Sequence, residues 1–310
     1  MGLIHAEDYS AAGWSQPGAA EPRARRYCEQ LEKGGILFFA GTPFALPESD
    51  RVFLLQARQS DSAHHKNISY KPARDRINGL TRGSADEEKM RGVMRAYSQS
   101  VSEFLDRFLT PYAGRWRLDF ASFRPIEEEG RNLPQSKRND LLHVDAFPTR
   151  PSNGNRILRV FTNLNPEQSR VWLTSDPFDA LVKKFGDRAS FDRTAARARS
   201  PWRPLARRMT RLAHAAGLPV VDRTPYDEFM LGFHHYLKHN QDFQQNCPKS
   251  KWEFPPGSTW LVFTDLVPHA VLTGRFALEQ TFFISRDAML LPEKAPYRVL
   301  EERAGVPVVD

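Results

Sequence analysis

The chain has 310 residues, 40% of them hydrophobic, enough to bury a sizeable core in one decorated domain or two small ones. With 44 basic against 37 acidic residues the net charge is +7, which favours an anionic partner: nucleic acid, phospholipid, or a phosphorylated or carboxylated substrate. Two distant cysteines, Cys28 and Cys247, exclude a disulfide framework and suit a reducing compartment, and no apolar run approaches the roughly 20 residues needed to span a bilayer.

Residues 1–20, rich in Gly, Ala, Ser and Pro, read as a loose arm. "PRARRYCEQLEKG" reads as a helix stopped by Gly34 and Gly35, and "ILFFAG" as a buried strand. "HHKNISYKPARDRINGLTRG" has no clear period and reads as a surface or functional loop. At Ser84 the pattern "SADE" predicts a capping box with Glu87. The helix that follows keeps Met90, Val93, Met94, Tyr97, Val101, Phe104, Leu105 and Phe108 on one face, a core stripe ended by Pro111.

From there the periodicity shortens to that of strands: "RWRLDFASFRP", "LLHVDAFPTRP", "NRILRVFTNLNP" after an Asn153-Gly154 turn, and "RVWLTSD". After a long interruption come "STWLVFTD", "HAVLT" and "RFALEQTFFIS". The expected architecture is mainly β with helices: a single domain over 1–310, its jelly-roll core carrying an N-terminal helical layer and a basic helical insertion at 176–245. The first half of that insertion is densely arginine-rich. In its second half Thr224-Pro225 opens an amphipathic helix with Tyr226, Phe229, Met230, Phe233 and Leu237 on one face.

In "LLHVDAFPTRP" an extended backbone would project His143 and Asp145 to the same side. The pair alone fits a metal site, a catalytic dyad or a buried hydrogen bond. His269, at the start of a late strand, supplies a third group, because a jelly roll brings early and late strands together. Two imidazoles and a carboxylate suit Fe(II), leaving adjacent positions open for a bidentate co-substrate and O2. A zinc hydrolase could use the same ligands with an activated water, but no HExxH or CxxC pattern supplies its other parts. His235 and His239 are four apart, yet fall opposite the apolar face of their helix and read as solvated.

The segments "HVDAFPTRPSNGNRILRVFTNLNP", "TPYDEFMLGFHHYLKHNQDFQ" and "FPPGSTWLVFTDLVPHAVLTGR", with "LEKGGILFFAGTPFAL…HHKNISY", resemble the Kdo 3-hydroxylase family over about residues 28–295. The resemblance implies a double-stranded β-helix and an Fe(II)- and 2-oxoglutarate-dependent dioxygenase using O2, with ascorbate as reductant. Its substrate would be 3-deoxy-D-manno-oct-2-ulosonic acid (Kdo), hydroxylated at C3 to Ko on Kdo-lipid A of Gram-negative lipopolysaccharide. The family's motif falls on His143, Asp145 and His269. It also implies a cytoplasmic enzyme, peripheral to the inner face of the inner membrane.

The usual basic residue about ten positions after the distal histidine is missing, since that region reads "FALEQT" and position 280 is Gln. A bidentate guanidinium is the natural carboxylate clamp, so Arg159, assisted by Asn163, is preferred for 2-oxoglutarate, with Arg156 and Arg275 as the alternatives. His64, His65 and Lys66 are placed at the substrate mouth. Arg197, Arg199, Arg203, Arg207, Arg208 and Arg211, interleaved with Trp202 and Leu205, are expected to meet an anionic membrane surface. Such a stripe also suits nucleic acid, but no nucleic-acid-binding motif accompanies it, and no nucleic acid is expected. The competing readings are a non-catalytic jelly roll binding anionic lipid or nucleic acid, and a 2-oxoglutarate oxygenase of another anionic substrate.

Overall fold

The computed structural model describes residues 2–6, 9, 20–60, 67–218 and 220–310; His64, His65 and Lys66 lie outside them. In chain order the strands are β1 (Leu3–His5), β2 (Ile36–Phe39), β3 (Ile68–Lys71), β4 (Arg76–Asn78), β5 (Trp116–Arg124), β6 (Arg156–Asn163), β7 (Arg170–Thr174), β8 (Ser250–Phe254), β9 (Thr259–Phe263), β10 (His269–Thr273) and β11 (Ala277–Ile284). The helices used below are α1 (Ala20–Glu32), α2 (Glu48–Gln56), α3 (Ala85–Phe108), α4 (Phe178–Phe185), α5 (Phe191–Arg199), α6 (Arg203–Ala215), α7 (Pro225–His239), α8 (Gln241–Asn246) and α9 (Pro296–Ala304).

The strands form an eight-stranded sheet, β1-β2-β9-β6-β11-β5-β3-β4, and a three-stranded sheet, β10-β7-β8. This is the expected jelly roll. Between the sheets lies an aromatic layer: Trp260 stacks on Phe254 at 3.9 Å, and Trp172 meets Phe161 edge-on at 4.7 Å. Every residue of β6 and β11 is buried, including the polar and charged side chains of Arg156, Arg159, Asn163, Glu279 and Gln280.

The long N-terminal helix follows its sequence signals. Ser84 accepts the Glu87 amide at 3.2 Å, and the expected apolar stripe of α3 is buried. The return half of the capping box shifts by one residue, with the Glu87 carboxylate taking the Gly83 amide rather than that of Ser84.

Two readings are corrected. Leu3–His5 is no loose arm but pairs in parallel with Ile36–Phe38. The aperiodic stretch after residue 67 is a β3–β4 hairpin, turned by Asp75 at φ 44°, with β3 pairing β5. Its strands are only four and three residues long, too short for a period to register.

The insertion consists of α4 to α8 between β7 and β8. Thr224 caps α7 through a full capping box with Asp227, and Asp227 also accepts the Ser152 and Asn153 amides at 2.8 and 3.0 Å. Gln244 of α8 both accepts the Leu142 amide and donates to its carbonyl, each at 2.9 Å. The insertion is therefore tied to the backbone on either side of His143 and Asp145.

Candidate active site

His143, Asp145 and His269 converge, with one ligand atom from each lying within 4.8 Å of the others. The backbone explains the convergence. His143 forms an isolated antiparallel bridge with His269, its amide donating to the His269 carbonyl at 3.2 Å and its carbonyl accepting the His269 amide at 3.0 Å. The Asp145 amide donates to Thr264 at 2.8 Å. Residues 143 and 145 thus share a face as on a strand, although only a single bridge forms.

The donor atoms suit a divalent cation. Nδ1 of His143 lies 2.7 Å from the Leu141 carbonyl and Nδ1 of His269 lies 3.0 Å from that of Val267. A carbonyl only accepts, so each Nδ1 carries the proton and each Nε2 keeps a free lone pair. Burial holds both imidazoles below their ordinary pKa, hence neutral, with Lys238 adding to the effect at His143. Burial alone would raise the Asp145 carboxyl, but the Arg159 guanidinium overrides it and holds it well below the ordinary range. Two neutral nitrogens and one ionised oxygen are the donor set that the 2-His-1-carboxylate arrangement offers to iron.

Arg159, on β6, is more constrained than a simple clamp. It donates from Nη1 to Asp145 Oδ2 at 2.7 Å and from Nε to Glu279 Oε1 at 3.0 Å, and its Nη2 lies 2.6 Å from Glu279 Oε2. It therefore orients the metal-binding carboxylate. Glu279 stands ten positions after His269, so the usual place of the basic residue holds an acid already neutralised by Arg159. Gln280 points the other way, accepting from Ser98 at 2.7 Å.

The two proposed helpers are corrected. Asn163 donates to the carbonyls of Gln168 and Phe254 at 2.9 and 3.0 Å, and so braces a turn. Arg275 is exposed, its guanidinium 4.7 Å from the ring of its neighbour Phe276. That corner contributes instead through Gly274, whose carbonyl takes Arg170 Nη1 at 2.7 Å. Gly274 has φ +121°, and a Cβ there would stand 2.9 Å from Arg170 Cγ, so only glycine lets Arg170 lie this close.

The triad lies on a cavity of about 480 Å³. One wall, from β5 and β7, carries Arg124, Arg170 and Trp172. Arg124 Nε, Arg170 Nε and Nη2, and Trp172 Nε1 are buried donors without a hydrogen-bond acceptor. Burial pushes the Arg170 guanidinium down to about 10, only partly offset by Glu128, whose Oε1 is 3.5 Å from Nη2. Buried donors without an acceptor are costly. Trp172 also stacks on the His269 ring at 5.1 Å, linking this wall to the triad.

The opposite wall belongs to α7. His234 donates from Nδ1 to the Val144 carbonyl at 2.7 Å, and its ring meets that of His143 edge-on at 4.9 Å. Burial, with Lys238 beside it, pushes the His234 imidazole down to about 3. Burial also pushes Lys238 down to about 8, only partly offset by Asp145 and Asp140. His235 reaches the cavity rim and His239 is exposed, as their position opposite the apolar face implied. His234 and Lys238 were missed, though a signal existed: each stands four residues after a buried position of the helix, Met230 or His234 itself. Arg150 completes the lining, stacked 4.1 Å from the Phe120 ring and 4.2 Å from that of Phe147.

Four of the arginines expected at a membrane are engaged within the chain: Arg197 lies 2.8 Å from Glu228, and Arg199 donates to the Ala304 carbonyl at 2.6 Å. Arg203 binds the Pro307 carbonyl at 3.0 Å and Asp310 at 2.6 Å, and Arg207 binds Asp222 at 3.0 Å. They hold α6 to the C-terminus rather than face outward. Arg208 is exposed.

A family model described as 3-deoxy-D-manno-oct-2-ulosonic acid (Kdo) hydroxylase matches residues 14–307. The crystal structure of the Kdo hydroxylase KdoO with alphaketoglutarate and Fe(III) is 32% identical, covering 100% of this chain and 98% of that one, at a TM-score of 0.80. KdoO with cobalt(II) is 33% identical over 99% of this chain and 97% of its own, at 0.82. No curated protein matches the chain. With the jelly roll, the convergent His143, Asp145 and His269, and this agreement over nearly its whole length, the chain belongs to the Kdo hydroxylase family of non-haem Fe(II), 2-oxoglutarate-dependent dioxygenases.

Proposed function

We propose that this enzyme hydroxylates C3 of a Kdo unit on Kdo-lipid A, converting Kdo to Ko, with ascorbate as the reductant that keeps its iron ferrous. The observation that carries the reading is the cavity: a neutral-imidazole, ionised-carboxylate triad faced by cationic side chains on two separate walls. Iron bound there with 2-oxoglutarate supplies the oxidising chemistry, coupling hydroxylation to loss of CO2 and formation of succinate.

The chain's own residues bind and orient. The Leu141 and Val267 carbonyls hold the two imidazoles in the metal-binding tautomer, and Arg159 occupies Oδ2 of Asp145, leaving Oδ1 for the cation. Arg124, Arg170 and Trp172 offer their open donors to the far carboxylate of 2-oxoglutarate. Arg159 keeps two of its five N–H groups beyond the three contacts described, and can share in that role. On the other wall Lys238 is placed to pair with the carboxylate of the sugar, while Arg150, itself paired with Asp119, and the rings of Phe120 and Phe147 border the same space.

The proposal includes a site of action at the cytoplasmic face of the inner membrane. Among the described residues six large apolar side chains are exposed, and five of them, Trp202, Leu205, Met209, Leu212 and Leu218, fall on α6 and its flanks. No helix among the described residues is long and apolar enough to cross a membrane. A shallow apolar face supports peripheral attachment near a lipid-anchored substrate. Cys28 and Cys247, buried and unbonded, support a reducing compartment.

The test is mass spectrometry of Kdo-lipid A after incubation with protein, Fe(II), ascorbate and 2-oxoglutarate. One added oxygen on the Kdo moiety, absent with Asp145→Ala, is expected. Succinate release without an added oxygen on Kdo would move the enzyme to another anionic substrate.

A further inference from the structure

The rim residue His235 belongs to two cavities. Beyond the triad pocket it lines a groove of about 430 Å³ between α5 and α7. Arg188, Arg193 and Arg197 form one side of this groove, and His235, Tyr236 and His239 line the other. Its one carboxylate, Glu228, lies 2.8 Å from Arg197 and is neutralised by it. Arg188 and Arg193 then have no acidic partner among the described residues. In a chain with 37 acidic residues for 44 basic ones, two unpaired guanidinia beside two imidazoles form a local excess of positive charge in a concave site. Arg197 and Glu228 also line the neighbouring cavity that contains Trp202, so the groove runs from the exposed apolar segment towards the triad.

We propose that this groove is an anionic subsite, binding a second oxyanion of the same substrate molecule, a phosphate or a carboxylate, while the target sugar occupies the triad cavity. The inference rests on the acidic-saccharide reading of the active site and deepens it. Guanidinium forks match such groups bidentately, and a concave cationic surface favours them further. None of the groove arginines touches the triad, so their effect falls on binding of extended substrates rather than on chemistry.

The experiment compares wild type with Arg188→Gln/Arg193→Gln. In the first arm inorganic phosphate is titrated while the histidine side chains are followed by NMR. A saturable shift of the His235 and His239 resonances is expected, and the double variant should lose it. Absence of the shift, or its persistence in the variant, overturns the site. In the second arm succinate release is measured with free Kdo and with Kdo-lipid A. The variant should raise KM for the lipid-linked substrate roughly 10-fold or more, with kcat and the values for free Kdo unchanged. An unchanged KM, or equal rises for both substrates, overturns the subsite even if phosphate binds. Removing the lipid phosphates, or using a substrate with a single Kdo, identifies which oxyanion the groove holds by abolishing the difference between wild type and variant. A wild-type enzyme inactive on both substrates defeats the functional reading itself, while the phosphate titration still decides whether the groove binds an oxyanion.

Discussion

Arg159→Leu isolates the device that keeps Asp145 ready for metal. The guanidinium is buried and spans two buried carboxylates, Asp145 at 2.7 Å and Glu279 at 2.6 Å. Removing it strands both charges, although Glu279 keeps the Ser122 hydroxyl at 2.7 Å and Arg124 at 3.8 Å. Breaking a buried pair by deleting one partner costs about 3–5 kcal/mol. At about 2.1 cal/mol/K of unfolding entropy per residue, 1 kcal/mol is worth about 1.5 °C in a chain of 310 residues, so the metal-free variant should melt roughly 5–8 °C lower at pH 7. The pH dependence follows from the sign of the shift. In wild type the Asp145 carboxyl is held below its unfolded value, so its contribution is present above about pH 4 and is lost only as pH falls through the depressed value. In the variant burial acts without the guanidinium and raises the carboxyl. Protonation then relieves the penalty, and the gap between the two proteins should narrow as pH falls towards 5. Co(II) should restore part of the loss by supplying the missing countercharge. Thermal melts by circular dichroism at pH 7 and 5, with and without Co(II), decide the matter. A metal-free variant within 1 °C of wild type at pH 7, or a gap that neither acid nor Co(II) changes, would refute the reasoning.

Arg170→Met removes a charge-assisted donor worth about 1.5–3 kcal/mol, so KM for 2-oxoglutarate should rise roughly 10–100-fold with Fe(II) affinity intact, whereas Arg275→Ala should leave it unchanged. Initial rates across 2-oxoglutarate concentrations rank the two. Burial brings Lys238 down to about 8, so its ammonium is lost as pH passes that value. KM for the Kdo substrate should therefore climb above about pH 8, and Lys238→Arg should abolish the climb, since a guanidinium stays charged. Leu205→Ser/Met209→Ser/Leu212→Ser should abolish co-sedimentation with anionic vesicles, as each apolar side chain contributes about 1–2 kcal/mol when it leaves water. Arg203→Gln/Arg207→Gln should instead lower the melting temperature and leave vesicle binding intact, because both arginines are spent on Asp310 and Asp222.

Much of this protein is legible in its sequence because local geometry repeats along the chain. The apolar stripe of α3 follows the 3.6-residue period, and Thr224-Pro225 announces α7 through its own capping chemistry. His143 and Asp145 share a face because an extended backbone alternates, and His269 opens a late strand. The β3–β4 hairpin escaped, since elements of three or four residues carry less than one full pattern.

Residue type and spacing, with the family resemblance, pointed to the metal triad, the jelly roll and the insertion. Only the tertiary structure decided what surrounds them. It set Arg159 against Asp145, engaged Asn163 in bracing a turn, left Arg275 exposed, and brought Arg124, Arg170, Trp172, His234 and Lys238 to the cavity. It also spent Arg203 and Arg207 inside the fold and left Leu205, Met209 and Leu212 outside it. Periodicity tells which face of an element is buried, because that depends on the element's own repeat. Which charge meets which depends on distances between elements far apart in sequence. Asp145 finds Arg159 fourteen residues away and Glu279 a further 120, and only the packing of β6 against β11 sets those distances.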